Sequence, residues 1–135
     1  LEHTEDEKII LDYLTNESNN YFFFAVPAFQ NLFSNHDVLL GHYRRYSLEE
    51  LKKLLEKNNF KIINKGYYFF TLLVLRWVEK IKKKEQKESI DNWEGSAQKT
   101  NLINFVLQTD FKIVMFLKKF NLHVKGLSCY CLCIK

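Results

Sequence analysis

The chain has 135 residues, the size of one ordinary domain, and its 47% hydrophobic and 27% charged residues are a globular composition. Its formal net charge of +4 is too mild for a typical nucleic-acid-binding protein, so no nucleic-acid partner is expected. The longest strongly apolar stretch, YYFFTLLVL, is far shorter than the roughly 20 residues that a membrane-spanning helix needs. We therefore expect one domain that does not cross a membrane.

The first predicted elements are a short amphipathic helix over residues 5–14 and a strand over residues 21–26. Thr4 is a suitable N-cap for the helix, and acidic residues fill its first turn. The strand, YFFFAV, is continuously apolar. Such a run is typical of a strand covered on both faces, as in a parallel sheet between helices.

The clearest local signal, in residues 46–60, predicts a capped helix. Ser47 and Glu50 have the spacing of a capping box, and Tyr46 and Leu51 occupy the two positions of a hydrophobic staple. The leucines that follow recur on one face, while lysine and glutamate fall on the other. This helix should therefore have one apolar face and one face toward water.

The second half of the chain predicts four more segments. A strand is expected over residues 60–68 and a helix over 68–84, apolar first and basic later. A surface loop is expected over 88–99. The long helix expected over 100–120 is apolar on most sides and should lie under neighbouring elements. The last segment, 126–135, is apolar on both faces and predicts a strand in the interior of a sheet.

All three cysteines fall in this last strand, in the stretch SCYCLCI. Because alternate residues of a strand share a face, Cys129, Cys131 and Cys133 should form a row. This spacing suits neither a disulfide nor a zinc site. We expect reduced thiols that act as small buried hydrophobic residues, which favours a reducing, cytoplasmic location.

Residues 29–47 connect the first strand to the capped helix and are rich in polar and aromatic side chains. We expect a short helical lid over residues 29–40, followed by the stretch GHYRRYS. Arginine forks in that stretch suit carboxylate or phosphate, and histidine titrates near neutrality. The simpler alternative is that its tyrosines belong to the core and that one arginine pairs with Asp37 or Glu49.

The stretches LEHTED, YFFFAVPAF and HDVLLGHYRRYSLEELKKLLEKNNFKI together resemble the C-terminal half of class I S-adenosylmethionine-dependent methyltransferases. The resemblance is to the bacterial type often found beside glycosyltransferases, and it covers essentially the whole chain. It implies an α/β fold, the C-terminal part of a Rossmann-like methyltransferase sheet with flanking helices. The three strands would be the fifth to seventh, with the last inserted antiparallel between the other two. Residues 1–135 would then form a single partial domain.

One feature of that family is missing from the sequence. The family binds S-adenosylmethionine on a glycine-rich turn, because glycine lets the backbone approach the ligand closely. The four glycines here, Gly41, Gly66, Gly95 and Gly126, stand far apart. The resemblance thus implies S-adenosylmethionine as cofactor and a chain that begins after the fourth strand, without the main cofactor loop. This chain alone is expected to be inactive.

The resemblance also implies roles for residues near strand ends. Glu2 and His3 are candidate catalytic residues that would orient an acceptor hydroxyl or amine or remove its proton. Glu2 and Pro27 are candidate cofactor-binding residues. A small-molecule acceptor, such as an anionic sugar nucleotide or a lipid-linked saccharide, would bind the candidate substrate residues His36, His42, Tyr43, Arg44 and Arg45. The alternative for Glu2 is capping of the next helix, and for His3 simple packing.

No metal site is expected, because Glu2 and His3 alone provide too few ligands. Two other functions stay open at this point. One is a binding module without catalysis that keeps only the sheet. The other is attachment to a membrane surface through residues 68–84, whose apolar start, tryptophan and cationic end are typical of an interfacial helix. Self-association is also expected, because the first strand would be an uncovered edge.

Overall fold

The structure is a computed structural model, and it describes residues 1–15, 20–82, 97–120, 122 and 124–135. The described part of the chain alternates helices with three strands. In chain order its elements are α1 (Glu7–Thr15), β1 (Tyr21–Pro27), a 3₁₀ turn (Gln30–Leu32), α2 (Asn35–Leu39), α3 (Leu48–Lys57), β2 (Lys61–Tyr68), α4 (Phe70–Lys82), α5 (Ala97–Lys119) and β3 (Ser128–Ile134).

The three strands form one antiparallel sheet in the order β1-β3-β2. β3 pairs antiparallel with both neighbours, so that Ser128 lies opposite Pro27 on one side and opposite Tyr68 on the other. β1 and β2 therefore run in the same direction on either side of β3. The predicted central, antiparallel position of the last strand is confirmed, and the fold is mixed α/β with flanking helices.

The core lies on the sheet face that α1 and α3 cover. The three cysteines of β3 form the predicted row and are fully buried there, beside Leu11, Leu51, Leu55 and Phe60. Burial raises the pKa of Cys129 and of Cys133 to about 12 and that of Cys131 to about 11. The prediction that these thiols are small buried hydrophobic groups is confirmed.

The capping box and the staple of α3 form as predicted. The backbone N–H of Glu50 donates to the Ser47 hydroxyl at 3.2 Å, and the Glu50 carboxylate accepts from the Ser47 N–H at 2.7 Å. Tyr46 and Leu51, at the two staple positions, are both buried. These contacts fix where the chain enters α3 and therefore where the preceding GHYRRYS segment ends.

Two predictions about the first elements are wrong. α1 begins at Glu7 rather than residue 5, because the Asp6 carboxylate accepts from the Lys8 N–H at 2.9 Å and caps the helix, while the Thr4 hydroxyl donates to Leu1 O. β1 is not covered on both faces in the described part of the chain, and its neighbour there is antiparallel: Tyr21 and Phe23 are 71% and 63% exposed.

The helices of the second half also differ from prediction. α5 begins at Ala97, so residues 97–99 are helical rather than loop, and the remainder of the predicted loop, 88–96, lies outside the described residues, as does the predicted helix end at 83–84. α5 is not buried under neighbours, since several of its large apolar side chains are exposed: Ile103, Phe105, Phe111, Ile113, Met115 and Phe116. None of the helices in the described ranges has the length and apolar character needed to cross a bilayer.

Candidate functional site

The predicted lid over residues 29–40 is two short helical pieces, the 3₁₀ turn and α2, rather than one helix. Ser34 precedes α2, and its backbone N–H donates to the Asp37 carboxylate at 3.0 Å. This hydrogen bond caps the N-terminus of α2 and directs the Asp37 side chain inward, where it is fully buried. The lid thus carries a buried carboxylate at its centre.

Arg45 is the main partner of that carboxylate. Its Nε and Nη2 donate to the two Asp37 oxygens at 2.8 and 3.0 Å, a bidentate pair in which both side chains are buried. Its Nη1 donates to Ala28 O at 3.2 Å, and its backbone N–H donates to Gln30 Oε1 at 2.7 Å. These bonds tie the lid to the carboxyl end of β1. Arg45 therefore acts as a positioning residue.

The ionised form of Asp37 is favoured by these partners. Burial by itself would raise the pKa of Asp37, but hydrogen bonds from Arg45, His42 and the Ser34 backbone outweigh burial and lower it. A carboxylate that stays ionised can only accept hydrogen bonds. Its neighbours must therefore present donors to it.

Arg44, in the GHYRRYS segment after the lid, joins that segment to α1. Its guanidinium forms an ion pair with Glu7 at 2.6 Å and donates to Glu5 O, while the Tyr46 hydroxyl donates to the same Glu7 carboxylate at 3.1 Å. Burial and the adjacent Glu7 charge raise the pKa of Tyr46, so its hydroxyl keeps its proton. Arg44 and Arg45 thus both have internal partners.

His42 lies against the outer side of Asp37, with its Nδ1 at 3.1 Å from Asp37 Oδ1. His3 meets the His42 ring edge to face, with 4.6 Å between the ring centroids, and its own Nδ1 is 3.3 Å from Gly41 O. Gly41 has φ +73°, a left-handed conformation that glycine adopts without strain, and this turn brings its carbonyl to His3. The turn therefore brings two imidazoles from distant parts of the sequence together.

Glu2 completes the group. Its carboxylate is 4.0 Å from His3 Nε2, and its carbonyl accepts from the Tyr43 N–H at 2.8 Å, which fixes the N-terminal segment against the lid. One ligand atom from each of Glu2, His3 and His42 lies within 4.8 Å of the others. We call these three residues the Glu2–His3–His42 group. Their side chains can exchange a proton with a bound molecule, or they can bind an electrophile together.

The other predicted site residues are not members of this group. Tyr43 is 55% exposed, so the alternative that it belongs to the core is wrong, whereas Tyr46 is in the core as that alternative held. His36 lies half-buried on α2. Pro27 ends β1, and its carbonyl accepts from the Tyr46 N–H at 2.9 Å. Pairing of one arginine with Asp37 is confirmed.

Sequence reasoning missed the central role of Asp37. It appeared only as one possible partner of an arginine, although its position three residues after Ser34 is the acidic position of a capping box. Glu7 was missed as the partner of both Arg44 and Tyr46, since nothing local predicts a contact across 37 or more residues. The site is therefore held by long-range pairs.

No model of a known protein family matches the chain, and a search among curated proteins finds no significant match. Assignment to the methyltransferase family therefore stays a prediction.

Proposed function

We propose that the chain is the acceptor side of an S-adenosylmethionine-dependent methyltransferase that acts on a small molecule. The observation that carries the proposal is the Glu2–His3–His42 group, held beside a buried carboxylate at the point where the lid meets the carboxyl end of β1. Ligands of open α/β sheets bind at such strand ends. The central antiparallel β3, expected from the resemblance, supports the same function.

The chemistry needs a nucleophile aligned with the methyl donor and relieved of its proton. Because the Asp37 carboxylate accepts from His42 Nδ1–H, the lone pair of His42 lies on Nε2, the arrangement found in His–Asp general bases. General-base assistance typically contributes about 10²–10⁴-fold to a rate. His42 would take the proton of the acceptor directly, or it would hold a bound group that lowers the pKa of the acceptor. Glu2 and His3 would orient the acceptor.

The residues that the structure describes do not fit the cofactor by themselves. Gly41 forms a left-handed turn, Gly66 lies inside β2 and Gly126 lies against the Tyr68 backbone, while Gly95 lies outside the described residues. None of the three described glycines opens a helix after a strand, the geometry that a nucleotide-binding turn requires. The methyl donor would supply an electrophilic methyl group, and its site would lie outside the described residues.

The acceptor remains a proposal drawn from the lid. Both arginine forks have internal partners, so an acceptor would use other side chains. Tyr43 and His3 are exposed, and Glu2, His36 and His42 are partly exposed. A hydroxyl or amine acceptor bound there would face His42. Sugar nucleotides and lipid-linked saccharides are the classes to test first.

The test is a methyl-transfer assay on the product of the complete reading frame that contains this chain. With methyl-labelled S-adenosylmethionine and a panel of sugar acceptors, we expect label transfer that falls about 100-fold or more in His42→Ala. Lys57→Ala, on the exposed end of α3, is the matched control and should keep wild-type transfer. A folded protein that neither binds S-adenosylmethionine nor transfers label would contradict the proposal.

Exposed apolar side chains on α4 favour a second candidate function, attachment to an anionic membrane surface. Val74, Leu75, Trp77 and Val78 are all exposed on this helix, beside Arg76 and ahead of a lysine-rich sequence. Such a helix can lie in the interface plane of a bilayer. Of the predicted segment 68–84, residues 70–82 are helical and 83–84 lie outside the described residues.

Liposome co-sedimentation tests this second function. Vesicles containing anionic lipid should sediment the protein at low salt, and neutralising Lys80, Lys82, Lys83 and Lys84 together should abolish it. Neutralising Lys52, Lys53, Lys57 and Lys61 instead removes the same number of charges and is the control. No sedimentation at low salt would exclude the membrane function.

A further inference from the structure

The donor atoms of the Glu2–His3–His42 group converge from two segments about forty residues apart in sequence. Two imidazoles and one carboxylate each place a donor atom within 4.8 Å of the other two. In a tetrahedral site with bonds near 2.1 Å, ligand atoms are about 3.4 Å apart. Closing the remaining gap takes small side-chain rotations, and His3, 58% exposed, has room to make them.

Both imidazoles are oriented through their Nδ1 atoms. Gly41 O can only accept a hydrogen bond, so His3 Nδ1 carries the proton; the Asp37 carboxylate likewise accepts from His42 Nδ1. Each ring is left with its lone pair on Nε2. Metal-binding histidines in proteins are commonly held in this way, by a carboxylate or a backbone carbonyl on the far nitrogen.

We infer that Glu2, His3 and His42 bind a divalent transition-metal cation, with Asp37 and the Gly41 carbonyl holding the two histidines in the binding tautomer. The structure supplies a ligand that the sequence did not associate with Glu2 and His3, namely His42.

The donor set selects the class of metal. Two nitrogens and one carboxylate suit Zn²⁺, Co²⁺, Mn²⁺ or Fe²⁺, whereas Mg²⁺ and Ca²⁺ prefer sites made wholly of oxygen. Three protein ligands leave at least one position open, as in catalytic rather than structural sites.

The open position gives the cation a chemical use, and this part rests on the proposed function. A hydroxyl bound to the cation would lose its proton to solvent more readily, so it would attack as the alkoxide. The group would then activate the acceptor through the cation instead of by direct proton transfer to His42.

The first experiment titrates the full chain, without a polyhistidine tag, with Co²⁺ and follows its visible absorption bands. We expect saturable one-to-one binding that Zn²⁺ displaces. His42→Ala and the exposed-site variant His3→Ala should each weaken Co²⁺ binding about tenfold or more. His36→Ala, a histidine of the same lid outside the group, is the matched control and should bind as tightly as wild type.

Three outcomes would overturn the cation site. The first is that the wild-type chain shows no saturable Co²⁺ binding. The second is that His3→Ala loses Co²⁺ binding while His42→Ala keeps it. The third is a thiolate-to-cobalt charge-transfer band, which would assign the metal to the cysteines. Circular dichroism of each variant checks that weakened binding does not come from unfolding.

The two proposals fail separately. If this chain binds metal but the product of the complete reading frame transfers no methyl group, the result would support the cation site and contradict the proposed function. Methyl transfer that is unchanged after chelation of the metal would retain the proposed function and contradict the role of the cation.

Discussion

At the scale of single residues, Asp37 organises the lid. One buried carboxylate accepts from the Ser34 backbone, from Arg45 and from His42. A buried ion pair of this kind adds little net stability over apolar side chains, but removing one partner leaves an uncompensated buried charge. The pair therefore specifies the geometry of the lid, and the position of His42 follows from it.

Arg45→Leu should destabilise the protein much more than Arg44→Leu. The Arg45 variant leaves Asp37 charged, buried and short of two donors, which typically costs about 3–5 kcal/mol. The Arg44–Glu7 pair is about a quarter exposed on each side, and its loss should cost about 1 kcal/mol. Urea unfolding of the two matched variants measures the difference. Equal losses would show that the Asp37–Arg45 pair is not what holds the lid.

Acid should destabilise the protein through Asp37. Its pKa is lowered by folding from an ordinary value of 3.8, so the unfolded state binds the proton more readily. The stabilisation is therefore complete above about pH 5 and is lost as pH falls through the ordinary value and then the folded one. Unfolding free energies measured from pH 7 to 3 should fall more steeply for wild type than for Asp37→Asn. Identical slopes would contradict this assignment.

At the scale of elements, the outcome of each prediction depended on whether its cause was local. The α3 capping box and the alternating cysteines of β3 lie within a few residues of sequence, and both were predicted. The start of α1 was missed because Thr4 and Asp6 are both good caps and the choice depends on the folded neighbourhood. The exposure of α5 was missed because apolar composition does not reveal which partner covers a helix.

The segment before β3 should tolerate no side chain at Gly126. A Cβ there would lie 2.1 Å from Tyr68 O, a backbone atom that cannot move aside without disturbing the end of β2. Gly126→Ala should therefore cost about 3 kcal/mol or more. Gly66→Ala is the control, because the atoms nearest to its Cβ belong to the Tyr130 side chain, at 3.1 Å, and its effect should stay within about 1 kcal/mol. Thermal unfolding of both variants tests this, and a Gly126→Ala variant as stable as wild type would refute it.

At the scale of the whole molecule, the described sheet has only three strands, and β1 lies at its edge with exposed aromatic side chains. An uncharged apolar edge of this kind is a template for pairing with another chain. The exposed apolar residues of α4 and α5 add to the surface that is uncovered in the described part of the chain. Both features indicate that another protein surface covers this edge and these helices.

We expect the chain to self-associate through β1. Sedimentation velocity should show species larger than a monomer that grow with concentration, and Phe23→Lys should reduce them, because a lysine on an edge strand opposes pairing. Tyr13→Lys places the same charge at another highly exposed position, on α1, and should have little effect. A monomer at all concentrations that melts cooperatively would contradict pairing through the edge of β1.

The most direct test of the central claim is to read the coding sequence upstream of Leu1. The proposed methyltransferase function predicts an open reading frame that encodes, about 60–90 residues earlier, a strand followed by a Gly-x-Gly-x-Gly turn and a helix, with an acidic residue after the next strand. That arrangement would supply the cofactor side that the Glu2–His3–His42 group requires. An initiation codon at or just before Leu1 would contradict the methyltransferase function and leave a binding module built on the same sheet.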